Sequence, residues 1–128
     1  MMTYKLYYAA ETASMGIRLI LEELGMPYEL IPSSTDKDVQ RPPEQVLINP
    51  NGWLPVLVWD EGAMYEAAAI TIYLCDRHPE ANLAPRFDDP KRGIYLQTLV
   101  YFSNSVQNAF QLGYYPDRFA NTLEGEQS

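Results

Sequence analysis

The chain has 128 residues, of which 47% are hydrophobic, and its formal net charge is -8. This length is enough for one compact core and not obviously enough for two, and the acidic balance argues against nucleic acid and anionic membranes as partners, because both bind basic patches. Its single cysteine, Cys75, cannot form an internal disulfide, so a disulfide-stapled secreted scaffold is excluded and the reducing cytoplasm is the expected location.

The first third of the chain predicts a strand, a helix and a second strand. Residues 5–8 form the opening strand, and Ser14 begins a helix after a short loop. The apolar side chains of this helix recur three and four positions apart, which is typical of a core-facing stripe: Ile17, Ile20, Leu21 and Leu24. Gly25 and Pro27 end the helix, and residues 28–31 form the next strand. Such a β-α-β unit is right-handed and its two strands are parallel.

The stretch from residue 49 to residue 79 predicts a turn, a hairpin and another helix. It follows a polar, charged segment at 32–43, which indicates a surface loop with at most one short helical turn. Residues 55–59 form a buried strand, and residues 63–65 form a second strand after a turn. The helix that follows this hairpin ends at Pro79.

Three features of this stretch suit a charged peptide ligand. Pro55 heads its strand without an N–H to donate, and a cis Leu54-Pro55 bond, at a cost of about 0.5–1 kcal/mol, would turn the Leu54 N–H and C=O toward solvent. The helix that starts at Glu66 offers unpaired N–H groups to an anion, while the Glu66 carboxylate can hold an ammonium group. Each feature alone also suits an ordinary small domain. Together they fit a ligand with a peptide backbone, a carboxylate and an amino group, and the γ-glutamyl tripeptide glutathione is one such molecule.

The same stretch resembles the glutathione transferase family, whose pattern is approximately N-P-x-G-x-V-P-x-L, then D-x-G, then E-S-x-A-I-x-x-Y-L. In this chain the pattern stands as Asn49, Pro50, Gly52, Leu54, Pro55, Leu57, Asp60, Gly62, Glu66, Ala67, Ala69, Ile70, Tyr73 and Leu74. One departure is Ala67, where the family has a serine that binds the γ-glutamyl carboxylate; the backbone N–H of Ala67 remains. The resemblance implies a glutathione site that comprises Trp53, Leu54, Pro55, Glu66 and Ala67.

The element order β-α-β-[α]-β-β-α is that of a thioredoxin-like α/β fold, which is also the N-terminal domain of the glutathione transferases. We therefore predict a thioredoxin-like glutathione-binding domain at 1–80, a linker at 81–89, and the start of an all-helical C-terminal domain, truncated or incomplete, at 90–128. Its one long helix carries an apolar stripe formed by Tyr95, Leu99, Phe102, Val106 and Phe110, with Leu96 and Val100 on an adjacent face. Packing against one surface would cover only one of these two apolar faces. We therefore expect a second subunit to cover the other face, which makes the protein a homodimer.

Activation of a thiol requires a hydrogen-bond donor or a positive field beside the sulfur, and two residues are candidates. The opening resembles bacterial transferases that read K-L-Y-Y-S-P-G-A-C-S-L, which puts Ala13 at their cysteine and Ser14 at the serine that follows. Aligned with tyrosine-type members, Tyr7 takes the place of the catalytic tyrosine. We prefer Ser14, because the helix N-terminus acts in the same direction. Ser14 is equally an ordinary N-cap, and Tyr7 an ordinary core aromatic.

The resemblance implies an enzyme that uses glutathione as a co-substrate and attacks a small electrophile with its thiol. One alternative is a non-catalytic glutathione-binding or protein-interaction module, which Ala13 and Ala67 favour. Another is a fragment of a longer transferase. We expect no metal site, because Cys75 and His78 supply only two ligands on one helix, and no nucleic-acid or membrane partner.

Overall fold

The computed structural model describes residues 2–114. These residues form two units, of which the first ends at Arg86 and the second begins at Phe87. Within residues 2–114, no helix combines the length and the apolar character that crossing a bilayer requires.

The first unit is a four-stranded mixed sheet with three helices. The strands are β1 (Tyr4–Tyr8), β2 (Tyr28–Pro32), β3 (Val56–Trp59) and β4 (Gly62–Tyr65). The helices are α1 (Ser14–Leu24), α2 (Pro43–Ile48) and α3 (Ala67–Arg77), and a 3-10 turn follows at Pro79–Ala81. The strand order is β2-β1-β3-β4, in which β1 and β2 are parallel and β3 is antiparallel to both of its neighbours. The thioredoxin-like order is confirmed, with the optional helix present as α2.

Helix α1 forms where its apolar spacing predicts and ends where its glycine predicts. Ile17 and Leu21 are fully buried, and Ile20 and Leu24 pack against the same core while half-buried. Gly25 adopts the left-handed conformation with a φ of 67°, and its N–H donates to carbonyl groups of the last turn. Glycine is favoured at this position because it has no Cβ atom and adopts the left-handed conformation without a steric clash.

The core of the first unit joins the sheet to α1 and α3. Its seven buried members come from two strands and two helices: Tyr4, Leu6, Ile17, Leu21, Leu57, Ile70 and Leu74. Because β1 and β3 both contribute to this cluster, the register between them is held by side-chain burial as well as by the ladder. The fixed register positions the chain segments that leave these strands.

The second unit is helical, with α4 (Arg92–Tyr101), a single π turn (Phe102–Val106) and α5 (Gln107–Tyr114). A long helix was expected here, and the structure adds the π turn to it. A π turn inserts about one residue into the helical repeat, so a stripe counted with a uniform α period is interrupted between Leu99 and Val106. The remainder of the predicted C-terminal segment, residues 115–128, lies outside the described residues.

Candidate functional site

One row of paired residues across the sheet brings the predicted site segments to the same edge, which is the carboxyl end of β1. Tyr7 of β1 pairs with Val56 of β3, and Val56 pairs with Tyr65 of β4. Immediately beyond this row, β1 runs into the loop before α1, β3 is preceded by the Leu54-Pro55 bond, and β4 is followed by the start of α3 at 66–67. The three segments therefore meet at the same edge.

The Leu54-Pro55 peptide bond is cis, as its sequence context indicates. Pro55 is buried and Leu54 is half-buried. Within the described part of the chain, neither polar backbone group of Leu54 takes part in the strand ladders or in the hydrogen bonds of the neighbouring turns. Its N–H and C=O are thus available to the backbone of an extended ligand.

A buried polar network holds the turn that precedes Leu54. The side chain of Gln45 in α2 has no exposed surface; its Nε2 donates to the Gly52 carbonyl at 3.1 Å and lies 3.5 Å from the Trp53 carbonyl oxygen. The Gln45 Oε1 accepts a hydrogen bond from the Ser33 hydroxyl at the end of β2. Asn49, only 3% exposed, also places its Nδ2 3.5 Å from the Trp53 carbonyl oxygen. The network fixes the two carbonyl groups next to the proposed ligand-binding backbone.

Arg41 adds a second link to the same turn. Its Nε donates to the Gly52 carbonyl at 3.2 Å, and its guanidinium group also donates to the Val39 carbonyl at 2.7 Å. Gly52 adopts a φ of 70°, which favours glycine, and the Arg41 side chain packs beside it. Sequence reasoning did not identify Gln45 or Arg41, because neither residue belongs to a recognisable motif.

Glu66 and Ala67 lie where α3 begins. Glu66 is the cap residue, with a φ of 80° and a ψ of 111°, and its side chain is exposed. A positive φ is uncommon for a residue other than glycine and costs on the order of 1–3 kcal/mol, and such residues cluster at functional sites. The N–H groups of the first turn, beginning with the half-buried Ala67, have no partner inside their own helix. The arrangement offers a carboxylate and an anion-binding helix terminus side by side.

Ser14 begins α1, as predicted, but its hydroxyl group faces the preceding loop. The side chain has no exposed surface; its Oγ donates to the Ala9 carbonyl at 3.1 Å and accepts from the Ala9 N–H at 3.2 Å. The same oxygen contacts Oγ1 of Thr12, a half-buried residue that sequence reasoning did not identify. Two hydroxyl groups, and not one, therefore lie at the start of α1.

Tyr7, the second candidate for thiol activation, is also buried, with 1% of its surface exposed. Burial, and to a smaller extent the neighbouring Glu44 carboxylate, raise the pKa of Tyr7 to about 12. Tyr7 is consequently a neutral hydroxyl group at neutral pH.

The raised pKa of Tyr7 predicts a loss of stability at high pH. The folded pKa of about 12 exceeds the model value of 10.0, so the contribution of Tyr7 is complete below the unfolded pKa and is lost as the pH rises through the folded one. We expect Tyr7→Phe to reduce the decrease in urea midpoint between about pH 10 and about pH 12, the interval between the unfolded and the folded pKa. Tyr114→Phe, which changes an exposed side chain, is the control and should follow the wild type. Equal decreases in wild type and Tyr7→Phe would contradict the prediction.

Comparisons with known proteins show the family to which the chain belongs. The family model described as "Glutathione S-transferase, N-terminal domain" matches residues 12–77, which are more than half of the chain. A glutathione S-transferase of the zeta class from Euphorbia esula is 36% identical over 104 residues, which are 80% of this chain and 46% of that protein. The chain spans about half the length of the curated relatives it matches.

Solved structures with the same fold include glutathione complexes. A glutathione transferase homologue from Sulfitobacter with bound glutathione matches with a TM-score of 0.86 at 23% identity, over 99% of this chain and 61% of that one, and this likeness shows the fold. A sphingomonad glutathione S-transferase complexed with glutathione matches with a TM-score of 0.76 at 25% identity, over 94% of this chain and 60% of that one. By the family match and by its curated relatives, the chain belongs to the glutathione S-transferase family.

Proposed function

We propose that this protein binds glutathione at the described sheet edge and activates its thiol for attack on a small electrophile. The observation that carries the proposal is the meeting, at one edge, of the Leu54 backbone groups, the Glu66 carboxylate and the first turn of α3. Family membership and the glutathione complexes of similar structures support it.

Each part of glutathione has a matching group in this proposal. The N–H and C=O of Leu54, shaped by Pro55, pair with the backbone of the cysteinyl residue. The N–H of Ala67 binds the γ-glutamyl carboxylate at the positive end of α3, and Glu66 binds the γ-glutamyl amino group. Trp53, which is half-buried, lies against the glycyl end.

The reaction begins when the thiol of bound glutathione loses its proton to water. The thiolate then forms a bond from sulfur to carbon, and the leaving group departs with its bonding electrons. A hydroxyl group at the start of α1 stabilises the thiolate, and Ser14 remains the preferred candidate over Tyr7. Tyr7 is less suited because its raised pKa makes its hydroxyl group a weaker hydrogen-bond donor.

We also propose that the protein is a homodimer located in the cytoplasm. In the second unit, several large apolar side chains are more than half exposed, which supports a covering partner: Ile94, Val100, Tyr101, Phe102, Phe110, Leu112 and Tyr114. Sedimentation at micromolar concentration tests this part, and a monomer would contradict it.

A non-catalytic glutathione-binding module is the second candidate function. It is favoured by the missing hydroxyl group at Ala67 and by the complete burial of Ser14.

Titration calorimetry with glutathione, followed by conjugation of a chloronitrobenzene-type electrophile, tests both candidates. We expect saturable binding and conjugation faster than the reaction in buffer, and we expect Ser14→Ala to slow the conjugation. Binding without conjugation would support the module. Absence of binding would overturn both functions.

A further inference from the structure

We propose that Asn51 is a site of spontaneous deamidation, and that the isoaspartate formed there disables the proposed ligand-binding edge. The sequence contains one Asn-Gly step, Asn51-Gly52, and the Asn51 side chain is exposed. This step is a reactive context for asparagine, because glycine has no Cβ atom that would keep its backbone nitrogen away from the neighbouring side chain. The modification itself is independent of the proposed function, whereas its consequence for glutathione binding rests on that function.

The reaction needs two groups of the chain and water. The backbone nitrogen of Gly52 loses its proton to hydroxide and forms a bond with Cγ of Asn51. The Cγ–Nδ2 bond breaks, and this nitrogen leaves as ammonia after it takes up a proton from water. Water then opens the resulting cyclic imide at either of its two carbonyl groups. One opening gives aspartate, and the other gives isoaspartate, in which the main chain runs through the former side chain.

The turn at Gly52 protects the attacking nitrogen in the folded chain. The Gly52 N–H donates to the Asn49 carbonyl at 2.8 Å, which is the hydrogen bond of a β-turn. Gly52 is buried although Asn51 is exposed. Hydroxide therefore reaches the Gly52 proton when the turn opens locally, and this opening sets the rate of the reaction.

Two side chains hold the turn closed. Gln45 Nε2 donates to the Gly52 carbonyl at 3.1 Å, and Arg41 Nε donates to the same oxygen at 3.2 Å. A rotation of the backbone that frees the Gly52 N–H from Asn49 also pulls this oxygen away from both donors. Removal of either donor therefore makes the turn open more often and speeds deamidation of Asn51.

Isoaspartate at position 51 lengthens the main chain where these hydrogen bonds hold it. It adds one carbon–carbon bond, about 1.5 Å, to the backbone just before Gly52. Both hydrogen bonds to the Gly52 carbonyl are already near the upper end of the normal range, so this extra length breaks them. Leu54 lies two positions after Gly52, and its N–H and C=O move with the turn. The modified chain consequently loses the backbone groups proposed to bind glutathione.

Ageing of the folded protein at mildly alkaline pH tests the assignment. Peptide mapping by mass spectrometry locates the modified residue, and methylation by protein isoaspartyl methyltransferase identifies isoaspartate. We expect isoaspartate at Asn51 before modification of any other asparagine, at a lower rate than in the urea-unfolded chain. Gln45→Leu should raise the rate at Asn51 at least about fivefold, the order of effect of one net hydrogen bond, whereas Gln97→Leu should age like the wild type. Arg41→Met serves the same purpose if Gln45→Leu does not fold.

Retention on glutathione-agarose measures the consequence. The unretained fraction of aged protein should be enriched in isoaspartate, and treatment with the methyltransferase, which converts isoaspartate to aspartate through the same imide, should restore retention. Asn51→Asp carries the new charge on a normal main chain and should be retained like fresh wild type. Asn51→Gln should age without this loss, because its longer side chain forms the corresponding ring much more slowly.

Four results have distinct meanings. Earlier modification of another asparagine would overturn the assignment of Asn51. Equal rates in folded and unfolded chains, or in wild type and both variants of the turn, would overturn protection by the turn. Isoaspartate at Asn51 in the retained fraction would overturn the consequence for the ligand edge and leave the proposed function in place. Failure of fresh wild type to bind glutathione would overturn the proposed function, and peptide mapping would still decide the modification.

Discussion

Glu66→Gln is expected to weaken glutathione binding at least about tenfold, which corresponds to about 1.4 kcal/mol. Glutamine keeps the length of the side chain but removes the charge that pairs with the γ-glutamyl amino group, and hydrogen bonds to charged groups contribute about 1.5–3 kcal/mol. Titration calorimetry measures the affinity. Glu23→Gln, which removes the same charge from an exposed position near the end of α1, should bind like the wild type.

A second substitution at this position separates backbone conformation from ligand binding. Glycine adopts the φ of 80° at Glu66 without the steric cost that other residues pay, so Glu66→Gly is expected to raise the free energy of unfolding by about 1 kcal/mol. The same variant should lose glutathione binding. A destabilised Glu66→Gly variant would contradict the strained conformation, and wild-type affinity in Glu66→Gln would contradict the assignment of the site.

Gln45→Leu is expected to lower the free energy of unfolding by about 2–3 kcal/mol, since it removes the hydrogen bonds of a fully buried amide. The Ser33 hydroxyl group would lose its acceptor, and the Gly52 and Trp53 carbonyl groups would lose a donor. Glutathione binding should weaken as well, because Leu54 directly follows the turn. Urea unfolding and titration calorimetry measure the two effects.

Gln97→Leu is the matched control for this substitution, since Gln97 is exposed on α4. Its effect on stability should stay within about 0.5 kcal/mol, as for most surface substitutions. If Gln45→Leu were as stable as the wild type, the hydrogen bonds of the Gln45 amide would be worth no more than the burial of leucine. Unchanged glutathione affinity would show that the network does not position the binding turn.

The elements and the backbone of the site could be predicted because their signals are local. The few residues around Pro55 and Glu66 are enough to place Pro55 at the start of a strand and Glu66 at the start of a helix. Gln45 could not be identified in this way, because its role depends on burial and on contacts across the fold. Gln45 reaches the Gly52 carbonyl seven positions away, and the environment of Tyr7 includes Glu44 from another element.

The long helix shows a different limit of sequence reasoning. The predicted apolar stripe assumes about 3.6 residues per turn throughout, and the residues Phe102–Val106 contain no pattern that predicts a π turn. The sequence shows that Ser14 lies at a helix start, whereas the direction of its hydroxyl group depends on contacts with Ala9 and Thr12.

The tip of the β3–β4 hairpin lies at the end of these strands that is opposite to Leu54 and Glu66. With about 3.3 Å per residue, a strand of this length separates the tip from the ligand edge by roughly 13 Å. Asp60 and Glu61 are exposed there, and the Glu61–Arg77 ion pair, at 3.8 Å, is of the surface kind that contributes about 0–1 kcal/mol. A fluorescent label or an epitope tag inserted at this tip would therefore report on the protein without obstructing its ligand.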